Sequence, residues 1–296
     1  MAHPQTDLPP AQADSDFVQF WNEVLGPKFN RFRHILVGGL THHSEAVFPK
    51  LPVRKGDDVV DVGCGWGDTA MKLARIVGPQ GSVTGVDCCD MFLETAQAEL
   101  AETDLDNVTF LRGDAEVALP EGAFDFAFAR FGTMFFANPV AGLRNMRRSL
   151  RPGGRMVHIV WRDRTDNPWL SMAKDVVLRF LPPPGDDART CGPGPFSMAD
   201  EGTTRKMMEI AGYEDISFER IDAPVLVGRN IQDAIDFQLA IGPAGEVFRE
   251  AGAEAEAKRP QIEEALAEAI DRQRREADGI VMASSSWMIS ARNPAD

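Results

Sequence analysis

Between residues 58 and 161, short apolar runs alternate with amphipathic stretches, and that alternation leaves few folds open. The runs are Asp58–Val62, Ser82–Asp87, Val108–Leu111, Phe124–Ala129 and Arg155–Trp161. Helical patterns lie between them at Asp68–Val77, Met91–Leu100 and Val140–Leu150. Parallel strands can be joined only by a crossover, and crossover helices cover both faces of the sheet. The chain therefore predicts an α/β, Rossmann-like doubly wound sheet. A sixth strand is expected at Asp215–Ile221 and a seventh at Gly279–Ser290, with helices near Trp169–Phe180 and Glu201–Ala211.

The flanks have a different texture. Residues 1–15 are rich in Pro, Ala, Gln and Asp and predict a disordered tail. Residues 16–50 predict a helical arm, with apolar residues at helical spacing from Phe17 to Leu36 and a break at Gly26-Pro27. Residues 224–278 hold no strand-like run and predict a helical insertion. The core is then 51–223 together with 279–296. The N-terminus lacks the basic start and apolar run of a signal peptide, and no window is long and apolar enough to span a membrane, which predicts a cytoplasmic protein. Lys and Arg number 31 against 45 Asp and Glu, a net charge of −14. That balance disfavours polyanionic partners such as nucleic acid. Four cysteines, Cys64, Cys88, Cys89 and Cys191, form no C-x-x-C pair and no metal spacing, so no metal is expected.

Chemistry is concentrated where the apolar runs end. The first ends in Asp61, followed by Gly63-Cys64-Gly65-Trp66-Gly67 and then a helix. Glycines there bare the backbone to a ligand, and the next helix offers free N–H groups. Asp68 stands where a dinucleotide fingerprint would have its third glycine. Asp87 ends the second run, where a carboxylate can accept from a ribose diol or cap the next helix. Asp114 follows the third, able to accept from an adenine amino group or to close a turn.

With its strand-end acids, its glycine loop and the segments Phe124–Arg130 and Leu150–Met156, the chain resembles the class I S-adenosylmethionine-dependent methyltransferases. It resembles in particular their small-molecule group, which includes the ubiquinone and menaquinone methyltransferases. The resemblance covers about residues 55–222 and, more weakly, 279–291. It implies S-adenosyl-L-methionine as cofactor and an antiparallel last strand. By position, it gives Asp61, Gly63, Cys64, Gly65, Trp66 and Gly67 to the methionine part of the cofactor. Asp87 matches the ribose ligand, with Cys88 beside the adenine; Asp114 and Ala115 match the adenine edge, and Arg130 the methyl-donor end. Trp66 is bulkier than the family's usual residue, and either covers the methionyl group or packs on the N-terminal helix.

A small, aromatic or lipophilic acceptor is expected, with Phe131, Met134, Phe135, Trp161 and Trp169 as its pocket and residues 224–278 as its lid. Methyl transfer to oxygen or nitrogen is favoured, driven mainly by proximity. The alternatives are a cofactor-binding protein with other chemistry, or methylation of a thiol or arsenical. His42 and His43, between the arm and the core, are the candidate bases. Their plain alternative is an exposed loop, and His158 inside the fifth strand reads as a core residue. A homodimer is compatible with the sequence.

Overall fold

The computed structural model describes residues 14–185 and 193–295. The predicted tail 1–15 falls mostly outside these residues, as does Cys191. The central sheet runs β3-β2-β1-β4-β5-β8-β6. Its strands are β1 (Asp58–Val62), β2 (Ser82–Asp87), β3 (Val108–Arg112), β4 (Phe124–Arg130), β5 (Leu150–Trp161), β6 (Glu214–Gly228) and β8 (Gly279–Arg292). An eighth strand, β7 (Arg274–Glu276), pairs only with β8 and was not expected. The first five strands are parallel, whereas β8 runs antiparallel between β5 and β6.

The central strands are apolar throughout because both faces are covered. Phe124, Phe126, Phe128, Met156 and Ile159 are completely or almost completely buried. The covering helices are α4 (Asp68–Val77), α5 (Asp90–Ala101), α6 (Pro139–Ser149), α7 (Pro168–Val177) and α8 (Glu201–Ala211). The parallel register pairs Val62 with Val86, and Asp87 with Arg112. The strands thus end together, and the loops after β1, β2, β3 and β4 share one edge of the sheet. Strand order reverses between β1 and β4, where open sheets of this kind form their ligand crevice.

Three boundaries differ from the sequence reading. β6 is about twice its predicted length because its second half pairs with β8 from Ile221 to Gly228. The insertion therefore starts after residue 228 and forms α9 (Ile231–Ala240), α10 (Gly242–Ala251) and α11 (Ala253–Asp271). β5 begins at Leu150, before the apolar run expected from Arg155, and its pairing with β4 skips from Leu150 to Arg155 through a register shift.

The N-terminal arm also differs. It comprises α1 (Asp16–Phe20), a π-helical turn at Trp21–Leu25, α2 (Gly26–Arg31) and α3 (Arg33–Val47). Gly26-Pro27 does not break it. Pro27 has no N–H to donate, and the Gly26 N–H bonds Trp21 O instead, so the chain stays helical through a wider turn. The discontinuity falls at Phe32, with φ −104° and ψ 19°. α3 then lies on β6, and Gly39 permits the approach: a Cβ there would sit 3.0 Å from Leu226 O.

Candidate cofactor and acceptor site

The loop after β1 uses glycine for its conformation as well as its smallness. Gly63, Gly65 and Gly67 have φ of +68°, +54° and +79°, the left-handed region that side chains disfavour. The N–H groups of Gly63 and Cys64 both donate to Val86 O, at 2.8 and 3.1 Å, which fixes the loop against the end of β2. Gly63 and Gly65 border a cavity of about 230 Å³, and a Cβ at Gly65 would meet no atom within 4 Å. Gly67 serves packing instead, since its Cβ would strike the Phe110 ring at 2.5 Å.

Asp61 lies beneath this loop and does not line the cavity. It is fully buried, and its Oδ2 accepts from Thr69 Oγ1 at 2.6 Å while Oδ1 has no partner. Burial pushes its pKa up to about 7. Asp87 does line the cavity, and its carboxylate joins two loops by accepting from Gly65 N and Cys89 N, both at 2.9 Å. Burial raises its pKa as well. Each Asp87 oxygen keeps a further lone pair for a ligand hydroxyl. Cys88, Asp114 and Ala115 border the same end of the cavity, and Asp114 is held by the Glu116 N–H at 2.9 Å.

Arg130, at the end of β4, reaches across to α4. It pairs with Asp68 at 2.8 Å and donates to Ser44 Oγ at 3.2 Å, and both charged side chains face the cavity. Trp66 lines the cavity and also packs on the arm. Its Nε1 donates to Asn30 Oδ1 on the arm at 3.2 Å, and its ring lies 4.7 Å from Phe92.

The bare glycine backbone, the half-occupied Asp87 carboxylate and the second acid at Asp114 suit a nucleoside bearing a diol and a small charged tail. That is the chemistry of S-adenosylmethionine, and the residues present fit it.

The opposite wall is aromatic. Phe131 follows β4 with φ +55°, an unusual conformation for a bulky residue, and its ring stacks on Trp161 with centroids 3.9 Å apart. Trp161 meets Trp169 edge-on at 5.2 Å, and Phe135 meets Trp21 of the arm at 5.5 Å. Met134 completes the set of five pocket residues expected from sequence, all of which line the cavity. Sequence reading missed further wall residues: Phe29 and Lys28 on α2, Phe237 on α9, and Glu246 and Arg249 on α10. The one signal available was Gly242-Pro243, which ends α9 and turns α10 back onto the cavity.

The candidate bases are corrected. His42 and His43 lie in the last turns of α3 rather than in a loop, and neither lines the cavity. His43 is fully buried, with Nδ1 2.8 Å from Ser286 Oγ and Nε2 2.8 Å from Ser284 Oγ. Both ring nitrogens are thus used on β8, and burial lowers its pKa to about 4, so it stays neutral. Its ring packs edge-on against Phe131 and Trp161, which it supports from behind. His42 Nδ1 is 3.0 Å from Pro224 O. His158 is a core residue as expected, 2.9 Å from Thr133 Oγ1 and lowered to about 3 by burial. Burial also raises the pKa of Cys64, Cys88 and Cys89, which makes them poor thiolate ligands for an arsenical. Among the described residues no cluster of His, Cys, Asp or Glu could hold a metal ion, and no helix is long and apolar enough to cross a membrane.

A family model described as a methyltransferase domain matches residues 59–154, the stretch that carries the glycine loop and the strand-end acids. Fold, site and this match place the chain among the class I S-adenosylmethionine-dependent methyltransferases: it is an enzyme of that class, with S-adenosylmethionine as cofactor. It is similar to the ubiquinone/menaquinone biosynthesis C-methyltransferase UbiE of Ectopseudomonas mendocina, 29% identical over 231 residues, 74% of this chain and 90% of that protein. It is also similar to the demethylmenaquinone methyltransferase of Listeria monocytogenes, 32% identical over 139 residues, or 46% of this chain and 59% of that one. Among solved structures it shares its fold with phosphoethanolamine N-methyltransferase 2 of Haemonchus contortus in complex with S-adenosyl-L-methionine. That TM-score is 0.56 at 16% identity, covering 95% of this chain and 61% of that one. The YcgJ protein of Bacillus subtilis gives 0.53 at 19%, covering 86% and 99%.

Proposed function

We propose that the protein methylates a ring carbon of a small, hydroxylated, lipophilic aromatic acceptor. The observation that carries this reading is the wall facing the cofactor loops, where Phe131, Trp161, Trp169, Phe135 and Trp21 surround the cavity and, among the described residues, no histidine enters. Such a wall suits a flat ring and offers it few polar contacts. The sequence reading favoured oxygen or nitrogen; the named activities of the relatives, C-methylation in quinone biosynthesis among them, favour carbon.

S-adenosylmethionine supplies a methyl group already activated by its sulfonium. The protein's part is to bind, align and exclude water, and alignment alone can contribute several kcal/mol. On this reading Asp87 and Asp114 hold the nucleoside, and Gly63 and Gly65 admit the methionine part. Asp68, already paired with Arg130, faces the cofactor's ammonium. Stacked Phe131 and Trp161 set the plane of the acceptor ring, and α9 and α10 close over it. A ring carbon that gains a methyl sheds a proton, and Glu246 is the carboxylate that the insertion adds to the wall.

The test is incubation with methyl-labelled donor and a reduced naphthoquinone, with the label located by carbon NMR. A ring-methyl signal is expected. Label on a ring oxygen would reassign the protein to O-methylation. No transfer to this ring or to any component of a metabolite extract would sink the proposal.

A further inference from the structure

The joint between the N-terminal arm and the cofactor loops is more specific than packing requires. Asn22 lies in the π-helical turn, and both ends of its amide are used on the loop after β2. Its Nδ2 donates to Cys88 O at 2.9 Å, and its Oδ1 accepts from Asp90 N at 2.9 Å. These two groups flank Cys89, whose N–H holds the Asp87 carboxylate. A few residues away the fit is equally close: a Cβ on Gly26 would lie 2.8 Å from Cys89 Sγ.

The glycine loop reaches the same arm through the bond from Trp66 to Asn30. Trp21, next to Asn22, contributes its ring to the cavity wall, as Leu25 and Phe29 do one and two turns on. The π turn is what lets neighbouring residues serve different partners, since it widens the helix at the point where Pro27 withholds its N–H.

We infer that Asn22 is a positioning residue that couples the cofactor loops to the acceptor wall. A ligand on Asp87 and Cys88 orders the 87–90 loop, which fixes the two backbone groups that Asn22 needs. The arm then docks with Trp21 in place, and the acceptor cavity is completed. By linkage the effect is mutual, so a filled acceptor cavity holds the cofactor more tightly. This rests on the reading of the cavity as a joint cofactor and acceptor site.

Hydrogen exchange on the whole protein, with and without S-adenosylhomocysteine, tests it. In the wild type the ligand is expected to slow exchange at 61–68 and 87–90, and by roughly tenfold across 16–31, a typical coupling factor. In Asn22→Ala the protection of the two loops should persist while that of the arm is lost. A purely structural role would lower protection of the arm equally with and without ligand. Gly26→Ala, whose Cβ would press on Cys89 Sγ at this joint, should give the same pattern independently. Equal ligand-dependent arm protection in wild type and both variants would overturn the inference, as would a wild-type arm that ignores the ligand. Calorimetry on the same samples separates the two readings: absence of S-adenosylhomocysteine binding removes the cofactor site itself, whereas binding without arm protection removes only the coupling.

Discussion

Asp87 bridges the glycine loop and the 88–90 loop, so its loss should be felt twice. Asp87→Ala removes the acceptor for Gly65 N and Cys89 N as well as the ribose contact. Hydrogen bonds to a charged group contribute about 1.5–3 kcal/mol each. A drop in cofactor affinity of about 10- to 100-fold is expected by calorimetry. His43 gives a prediction for stability rather than binding. Its folded pKa of about 4 lies below the ordinary 6.5, so the unfolded chain binds the extra proton between those values. Stability from this group is complete above pH 6.5 and falls as pH drops toward 4. The full effect is of order 3 kcal/mol. Melting temperatures measured from pH 8 to pH 4 should fall less steeply for His43→Asn, because an amide does not titrate. An equally steep fall would show that His43 is not the group. His158 acts in the same direction and remains in the variant.

At the scale of elements, periodicity reports which face is buried, not what it is buried against. The strands that lie between two helix layers read as unbroken apolar runs, and β1, β2 and β4 fall within a residue of where their sequence puts them. β6 does not: its second half opens on Asp222, Ala223 and Pro224, which interrupt the apolar run, and it is paired only with β8. The arm's break was misplaced for a related reason. Proline cannot donate a backbone hydrogen bond of either kind; the helix continues because the N–H of Gly26 before it bonds Trp21 O, and tertiary contacts choose between breaking and widening. α11 falls within the stretch predicted to be helical, and Ile262, Leu266 and Ile270 are buried along it. Leu266→Ala should cost about 2–5 kcal/mol, read as a lower melting midpoint in urea or heat. A shift within error would mean that α11 is not packed on α7 and α9.

Across the whole molecule, one cavity is built by three parts: the strand ends of the core, the arm, and α9 and α10 of the insertion. Under the proposed function this division would separate cofactor binding from acceptor binding in a way that mutation can expose. Ala240 lines the cavity at the end of α9, remote in sequence from every cofactor motif. Ala240→Phe should fill part of the acceptor space. Affinity for S-adenosylhomocysteine is expected to change by no more than about twofold, while methyl transfer falls by at least tenfold, as expected when binding geometry is lost. Equal loss of both would show that α9 covers the cofactor instead.

What the sequence determined by itself was local and repetitive. Alternating apolar runs dictate a parallel sheet, and the strand-end acids with their glycine loop mark one edge of it, because each depends on residues close in the chain. The tertiary structure decided the rest. It took His42 and His43 out of candidacy by turning α3 onto β6 and β8, sank Asp61 beneath the loop it precedes, and brought residues 28 and 246 to one cavity. Those outcomes depend on contacts between segments up to 243 residues apart, whose distances no local pattern encodes.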